Sequence, residues 1–199
     1  MSTATARKLP PHHPGMEAER WNREVIRGVE MMSPRPAPRH VAIASQLGAK
    51  LGRHFNGLKG EDGEPGGWVL RDEPEIHLEG KDPVIPDIAG WRIERAPDEE
   101  PPNTAYYTAP DWVCEVLSPS TAKWDRFTKM PLYSFHRVGH MWLVDPAERQ
   151  IEVYAHGRRG WELVVTVNGE DSVRLEPFEE IELPLSRIWP RARAESAAR

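Results

Sequence analysis

PDWVCEVLSPSTAKWDRFTK, residues 110–129, holds a strand, a break and the approach to a helix in one stretch. Trp112, Val113, Cys114, Val116 and Leu117 form an apolar run of strand length. Glu115 sits in its middle, and a buried ionised carboxylate is costly unless a cation or strong donors compensate it. The strand stops at Ser118-Pro119, because proline cannot continue a ladder and restricts the residue before it. Ser120, Thr121, Asp125 and Thr128 are all candidate helix caps. Pro131 narrows the choice, since proline is tolerated in a first turn and not in a helix interior. The expected helix start lies between Asp125 and Thr128, with Lys129 in the first turn. A carboxylate on the strand and a lysine on the next helix then face one cleft.

Outward from this stretch, a helix from Arg39 or His40 to about Phe55 follows from the spacing of Val41, Ala44, Leu47, Leu51 and Phe55. Gly48 and Gly52 weaken it by propensity but permit close approach of a sheet. Arg27-Gly28 reads as the turn of a hairpin between Glu24–Ile26 and Val29–Met32. Strands are expected at Trp68–Leu78 (broken at Pro74), Val84–Ile93 (with an irregular entry or edge position at Pro86), His140–Val144, Ile151–Ala155, Trp161–Val167 and Phe178–Leu183. Gly139 reads as a helix stop. The order of elements predicts α/β or α+β: a mixed sheet with helical cover and additional antiparallel strands. Residues 1–15 read as a flexible arm, 16–185 as a single domain and 186–199 as a tail.

The 199 residues suit one domain, and 39% hydrophobic with 29% charged residues is a soluble composition. The formal charge of −5 means that a nucleic-acid surface has to be a local basic patch or act through a metal. A single cysteine, Cys114, rules out an internal disulfide framework and fits a reducing compartment. No apolar run approaches the ~20 residues that span a bilayer. The expected location is the cytoplasm, without a membrane partner.

Phosphate-loop, zinc-protease, paired-cysteine and serine-elbow motifs are all absent. Pro86-Asp87 at one strand and Glu115 at another remain. Two carboxylates from neighbouring strands can hold a hard cation such as Mg²⁺. Such an ion activates a bound water, and a nearby lysine neutralises charge developing on a phosphorane.

The layout PD…(D/E)xK resembles that of restriction-endonuclease-like nucleases. More narrowly, EVLSPST, then Asp125-x-x-x-Lys129, Tyr133 and MWLVDP resemble the Uma-type "putative restriction endonuclease" family. The segment Gly28-x-Glu30-Met31-Met32-Ser33-Pro34 and His40 add to the likeness, which spans roughly Glu19 to Leu183. The resemblance implies a restriction-endonuclease-like mixed sheet flanked by helices, a DNA substrate and dependence on Mg²⁺, with Mn²⁺ as a substitute. It implies Asp87, Glu115 and Lys129 as catalytic residues, and Asp87, Glu115 and Val116 at the metal. Leu117 stands where the superfamily has its lysine, and the family pattern moves that lysine to Lys129. Glu30, His40, Glu75 and Asp125 are candidate supporting residues.

Ordinary structural roles compete with these. Asp87 could be a turn residue, Glu115 the partner of a core arginine such as Arg126, and Lys129 a solvated helix residue. Asp125 reads first as a cap and Glu75 as an exposed strand carboxylate. The leading functional expectation is a metal-dependent DNA endonuclease, for which a homodimer would suit cutting of both strands. The alternatives are a non-cleaving DNA-binding or structural module on the same fold, and a metal hydrolase of a smaller phosphodiester.

Overall fold

A computed structural model describes residues 21–79, 82–97 and 105–190. The arm at 1–15, the start of the domain before Trp21, part of the 94–109 connection and the last nine residues of the tail lie outside the described residues. The architecture is α+β. Its centre is a six-stranded sheet in the order β10-β9-β8-β7-β6-β3. These strands are β3 (Trp68–Asp72), β6 (Ile88–Arg92), β7 (Trp112–Val116), β8 (His140–Asp145), β9 (Gln150–Gly157) and β10 (Gly160–Asn168). Only β7 and β8 pair in parallel; every other neighbouring pair is antiparallel. A parallel pair needs a crossover, and the helical residues 122–135 supply it.

The side chains of β7 alternate between two apolar layers. Trp112, Cys114 and Val116 join the layer under α1 (Pro38–Phe55), whose Ile43, Leu47, Leu51 and Phe55 point into it. Ile43 takes the inward place expected for Val41, which is 47% exposed. At Gly48 a Cβ would lie 2.4 Å from Asp72 Oδ1, so this glycine admits the close approach of β3 to α1. Val113 and Leu117 join the opposite layer with Leu132, Tyr133, Met141 and Leu143. Glu115 lies on that second side, so the two-residue period alone aims it at the crossover helix.

A two-stranded hairpin, β1 (Trp21–Ile26) and β2 (Val29–Pro34), packs outside the main sheet. Arg27 and Gly28 both have positive φ, as the tight turn expected there requires. A second small pair, β4 (Ile76–Glu79) and β5 (Asp82–Val84), precedes β6. The single strand expected over Val84–Ile93 is therefore divided: Pro86 has no N–H for a ladder, and the chain re-enters pairing at Ile88.

Two C-terminal expectations need correction. The strand expected at Phe178–Leu183 is reduced to the short pair β11 (Ser172–Val173) and β12 (Leu183–Pro184). Phe178 instead inserts its ring among Phe55, Trp68, Trp112 and Trp142. Ile188 and Trp189, assigned to a tail, are buried, and Trp189 Nε1 donates to Gly169 O at 2.6 Å. Apolar contact thus carries the folded unit past residue 185.

Candidate functional site

The crossover helix does not begin where Pro131 suggested. It starts with α2 (Ala122–Trp124), passes through a π turn at Asp125–Lys129 and ends as α3 (Met130–Phe135). In the π turn, Met130 N–H bonds Asp125 O, five residues back. The wider turn accommodates the missing N–H of Pro131 inside a continuous helical path, which an α-helix would not. Asp125 is accordingly not the cap; Thr121 occupies that position. Both Asp125 and Lys129 turn inward, at 3% and 4% exposure.

Lys129 Nζ is the centre of the site. It donates to Ile85 O at 3.0 Å and to both oxygens of Glu115 at 3.1 Å. It lies 2.9 Å from Glu24 Oε1 and 3.6 Å from Asp125 Oδ1. Tyr133 O–H donates to Glu115 Oε1 at 2.7 Å. Asp87, just before β6, accepts from the Val116 amide at 2.6 Å through Oδ2. Its Oδ1 accepts from His40 Nε2 at 2.7 Å, since a carboxylate can only accept. All of these groups except Tyr133 line one cleft of about 260 Å³, together with Ser118, Ser120 and Thr121.

Charge explains the titration of the cluster. Burial pushes Glu115 well above the usual carboxylate range; Lys129 opposes this, while Asp125, Asp87 and Glu24 reinforce it. Burial alone would lower Lys129, but Glu115, Glu24, Asp125 and Asp87 outweigh it and hold the ammonium well above its ordinary value. Burial sets the direction for Glu115, and the surrounding carboxylates set it for Lys129. Asp125 is raised to about 6, again by burial first. Burial, then Glu115 and Glu24, lifts Tyr133, so its hydroxyl stays a donor. Cys114 is buried, and burial with Asp87 and Glu115 keeps it a thiol.

Asp87, Glu115, Val116, Lys129, His40 and Asp125 therefore meet in one place. Glu30 and Glu75 do not. Glu30 stands opposite Val25 in the hairpin, on the face away from Glu24, and pairs with exposed Arg23. Glu75 bonds His77 at the surface. Arg126, the alternative partner for Glu115, instead makes two hydrogen bonds to Glu152.

Glu24 is the site residue that sequence reasoning missed. The only local signal was an acid leading into an apolar pair, in Glu24-Val25-Ile26, with Arg23 before it. In a two-stranded hairpin that pattern also describes an exposed edge, and only docking against Ile85 and Lys129 buries it.

The donor set suits a hard divalent cation. Asp87 and Glu115 offer oxygen, each keeps unused lone pairs, and one ammonium leaves the surrounding negative charge uncompensated. Among the described residues, no three His, Cys, Asp or Glu side chains form a ready-made metal cage. A Mg²⁺ site needs none, because that ion is bound through one or two carboxylates and keeps several waters.

Residues 7–186 match the Uma2 family, described as "Putative restriction endonuclease". No curated protein matches the chain. Among solved structures, it is similar to "a putative nuclease belonging to DUF820 from Anabaena variabilis". The TM-score is 0.67 at 23% identity, covering 91% of this chain and 93% of the other. At that identity the likeness carries the fold. Among the described residues, no helix is long and apolar enough to cross a membrane.

Proposed function

We propose that this chain, which belongs to the Uma2 family, is a nuclease that hydrolyses DNA phosphodiester bonds with Mg²⁺, or Mn²⁺ in its place. The observation that carries this reading is the convergence of Glu24, Glu115 and Asp125 on the single ammonium of Lys129, with Asp87 lining the same open cleft. So much buried acid costs stability without a compensating cation, and a packing role does not call for it.

Asp87 and Glu115, with Val116 beside them, would hold the ion. When bound, it supplies Lewis acidity and a water acidic enough to attack at neutral pH. The chain's own groups set the stage. His40 and the Val116 amide fix Asp87 from its two oxygens. Tyr133 and Lys129 fix Glu115 in the same way. Lys129 also places a positive charge beside the carboxylates, where it can offset charge developing on a phosphoryl group.

The test is cleavage of supercoiled plasmid with Mg²⁺ and with chelator, beside Glu115→Ala. Nicking or linearisation is expected only for the wild type with metal. DNA retained in a mobility-shift assay without any cutting would favour the non-cleaving DNA-binding alternative.

A further inference from the structure

The hairpin β1–β2 pairs with no strand of the main sheet, yet it places a carboxylate 6% exposed against the site lysine. Glu24 Oε1 accepts from the Ile85 amide at 2.9 Å and lies 2.9 Å from Lys129 Nζ. Lys129 in turn donates to Ile85 O at 3.0 Å. These contacts close a ring through one carboxylate, one ammonium and both polar groups of a single peptide residue. Ile85 lies two residues before Asp87, with Pro86 stiffening the link. The same ring therefore fixes the lysine and the segment that delivers Asp87.

Lys129 Nζ spends its three protons on Ile85 O and the two oxygens of Glu115, and the Glu24 carboxylate, 2.9 Å away, holds the ammonium as an ion pair. Asp125 at 3.6 Å is left with attraction alone. Without Glu24 the ammonium loses its shortest ion pair and is free to swing toward Asp125. The half-buried Ile85 amide would lose its acceptor at the same time.

We infer that Glu24 is a positioning residue: held by the N-terminal hairpin, its carboxylate sets Lys129 and the Ile85–Asp87 segment in register with each other. The inference rests on the hydrolytic reading of the cleft. It makes the hairpin part of the site rather than a peripheral ornament. Position and charge make different demands here. Glutamine keeps the reach and an accepting oxygen without charge. Aspartate keeps the charge and is one methylene too short to bridge both donors.

The experiment compares Glu24→Ala, Glu24→Asp and Glu24→Gln in the full chain. Single-turnover plasmid cleavage at saturating Mg²⁺ is measured beside DNA affinity in chelator. Hydrogen exchange is followed over residues 83–86, where Pro83 and Pro86 carry no amide hydrogen and Val84 and Ile85 alone report. Alanine and aspartate are expected to slow cleavage about 10- to 100-fold, the scale of a small misplacement of reacting groups. DNA affinity should stay as in the wild type. Exchange at Ile85 should quicken about tenfold or more, as expected for loss of one charge-assisted hydrogen bond. Glutamine should restore both rate and protection.

Wild-type cleavage by the alanine or aspartate variant would overturn the inference, as would unchanged Ile85 exchange in both. Glutamine as slow as alanine would overturn it too, because charge would then be what matters. If the alanine variant does not fold, aspartate against glutamine decides. If the wild type itself cuts no DNA, the nuclease reading fails, while Ile85 exchange still decides whether Glu24 holds the ring.

Discussion

Replacing Lys129 with methionine should destabilise the protein far more than an ordinary helix substitution. Methionine fills nearly the same volume, so packing is largely kept. What disappears is the one ammonium among Glu24, Glu115 and Asp125, which are 6%, 2% and 3% exposed. Removing one partner of a buried ion pair typically costs about 3–5 kcal/mol, because the other charge is stranded. Here three carboxylates are stranded, and Ile85 O loses its donor as well. A domain of this size loses about 2–4 °C of Tm per kcal/mol, so a fall of about 6–20 °C is expected.

Thermal melts followed by circular dichroism, in chelator at pH 8 and pH 5, provide the assay. The penalty should be smaller at pH 5, where Asp125, raised to about 6, is largely protonated and the lifted Glu115 follows the same direction. Adding Glu115→Gln to Lys129→Met should recover part of the loss, since the two groups touch and their effects cannot add independently. A fall in Tm within the scatter of surface substitutions would refute the charge argument. So would an equal penalty at both pH values, or a double variant no more stable than Lys129→Met alone. The same variant bears on catalysis: a slow Lys129→Met enzyme is informative only below its own melting transition.

Two further outcomes follow from the same cluster. Mg²⁺ or Mn²⁺ should raise the wild-type Tm by mass action, about 2.7 kcal/mol at a hundredfold excess over Kd, and Asp87→Asn should abolish the gain; a wild type indifferent to both ions would sink the metal site. In chelator, the raised Asp125 stabilises the fold fully below its unfolded value of about 3.9 and loses that contribution as pH rises through about 6. Urea melts should therefore show stability falling over this window by up to about 3 kcal/mol from Asp125, at about 1.4 kcal/mol per pKa unit, with a flatter profile in Asp125→Asn; identical profiles would contradict the assignment.

Much of the fold could be read locally. The apolar run at 112–117 and the turn at Arg27-Gly28 carry their own geometry, and the structure has them as expected. Failures came where tertiary contact overrode local pattern. Trp189 lies beside an Arg- and Ala-rich end that resembles a tail, yet its indole finds a carbonyl and an apolar seat. Phe178 has strand-like neighbours but serves as the centre of an aromatic cluster, which matters more than pairing.

The site divides along the same line. Asp87 and Glu115 were legible because proline and strand period constrain where their side chains go. Lys129 was identified in the right place for a partly wrong reason. The argument from Pro131 assumed that a helix is α throughout, whereas a π turn lets proline sit mid-path and turns Asp125 and Lys129 to the same side. Glu24 and Glu30 lie on one short hairpin and Glu75 just before β4, and nothing local ranks these three acids. Glu24 alone belongs to the site, because the hairpin carries it onto a lysine and an amide far along the chain. An acid joins the cluster here through what buries it, and burial across a docked hairpin is a property of the assembled fold. The residues hardest to see in the sequence are thus those that join separately folding pieces, and they are also the ones whose loss should disturb several site groups at once.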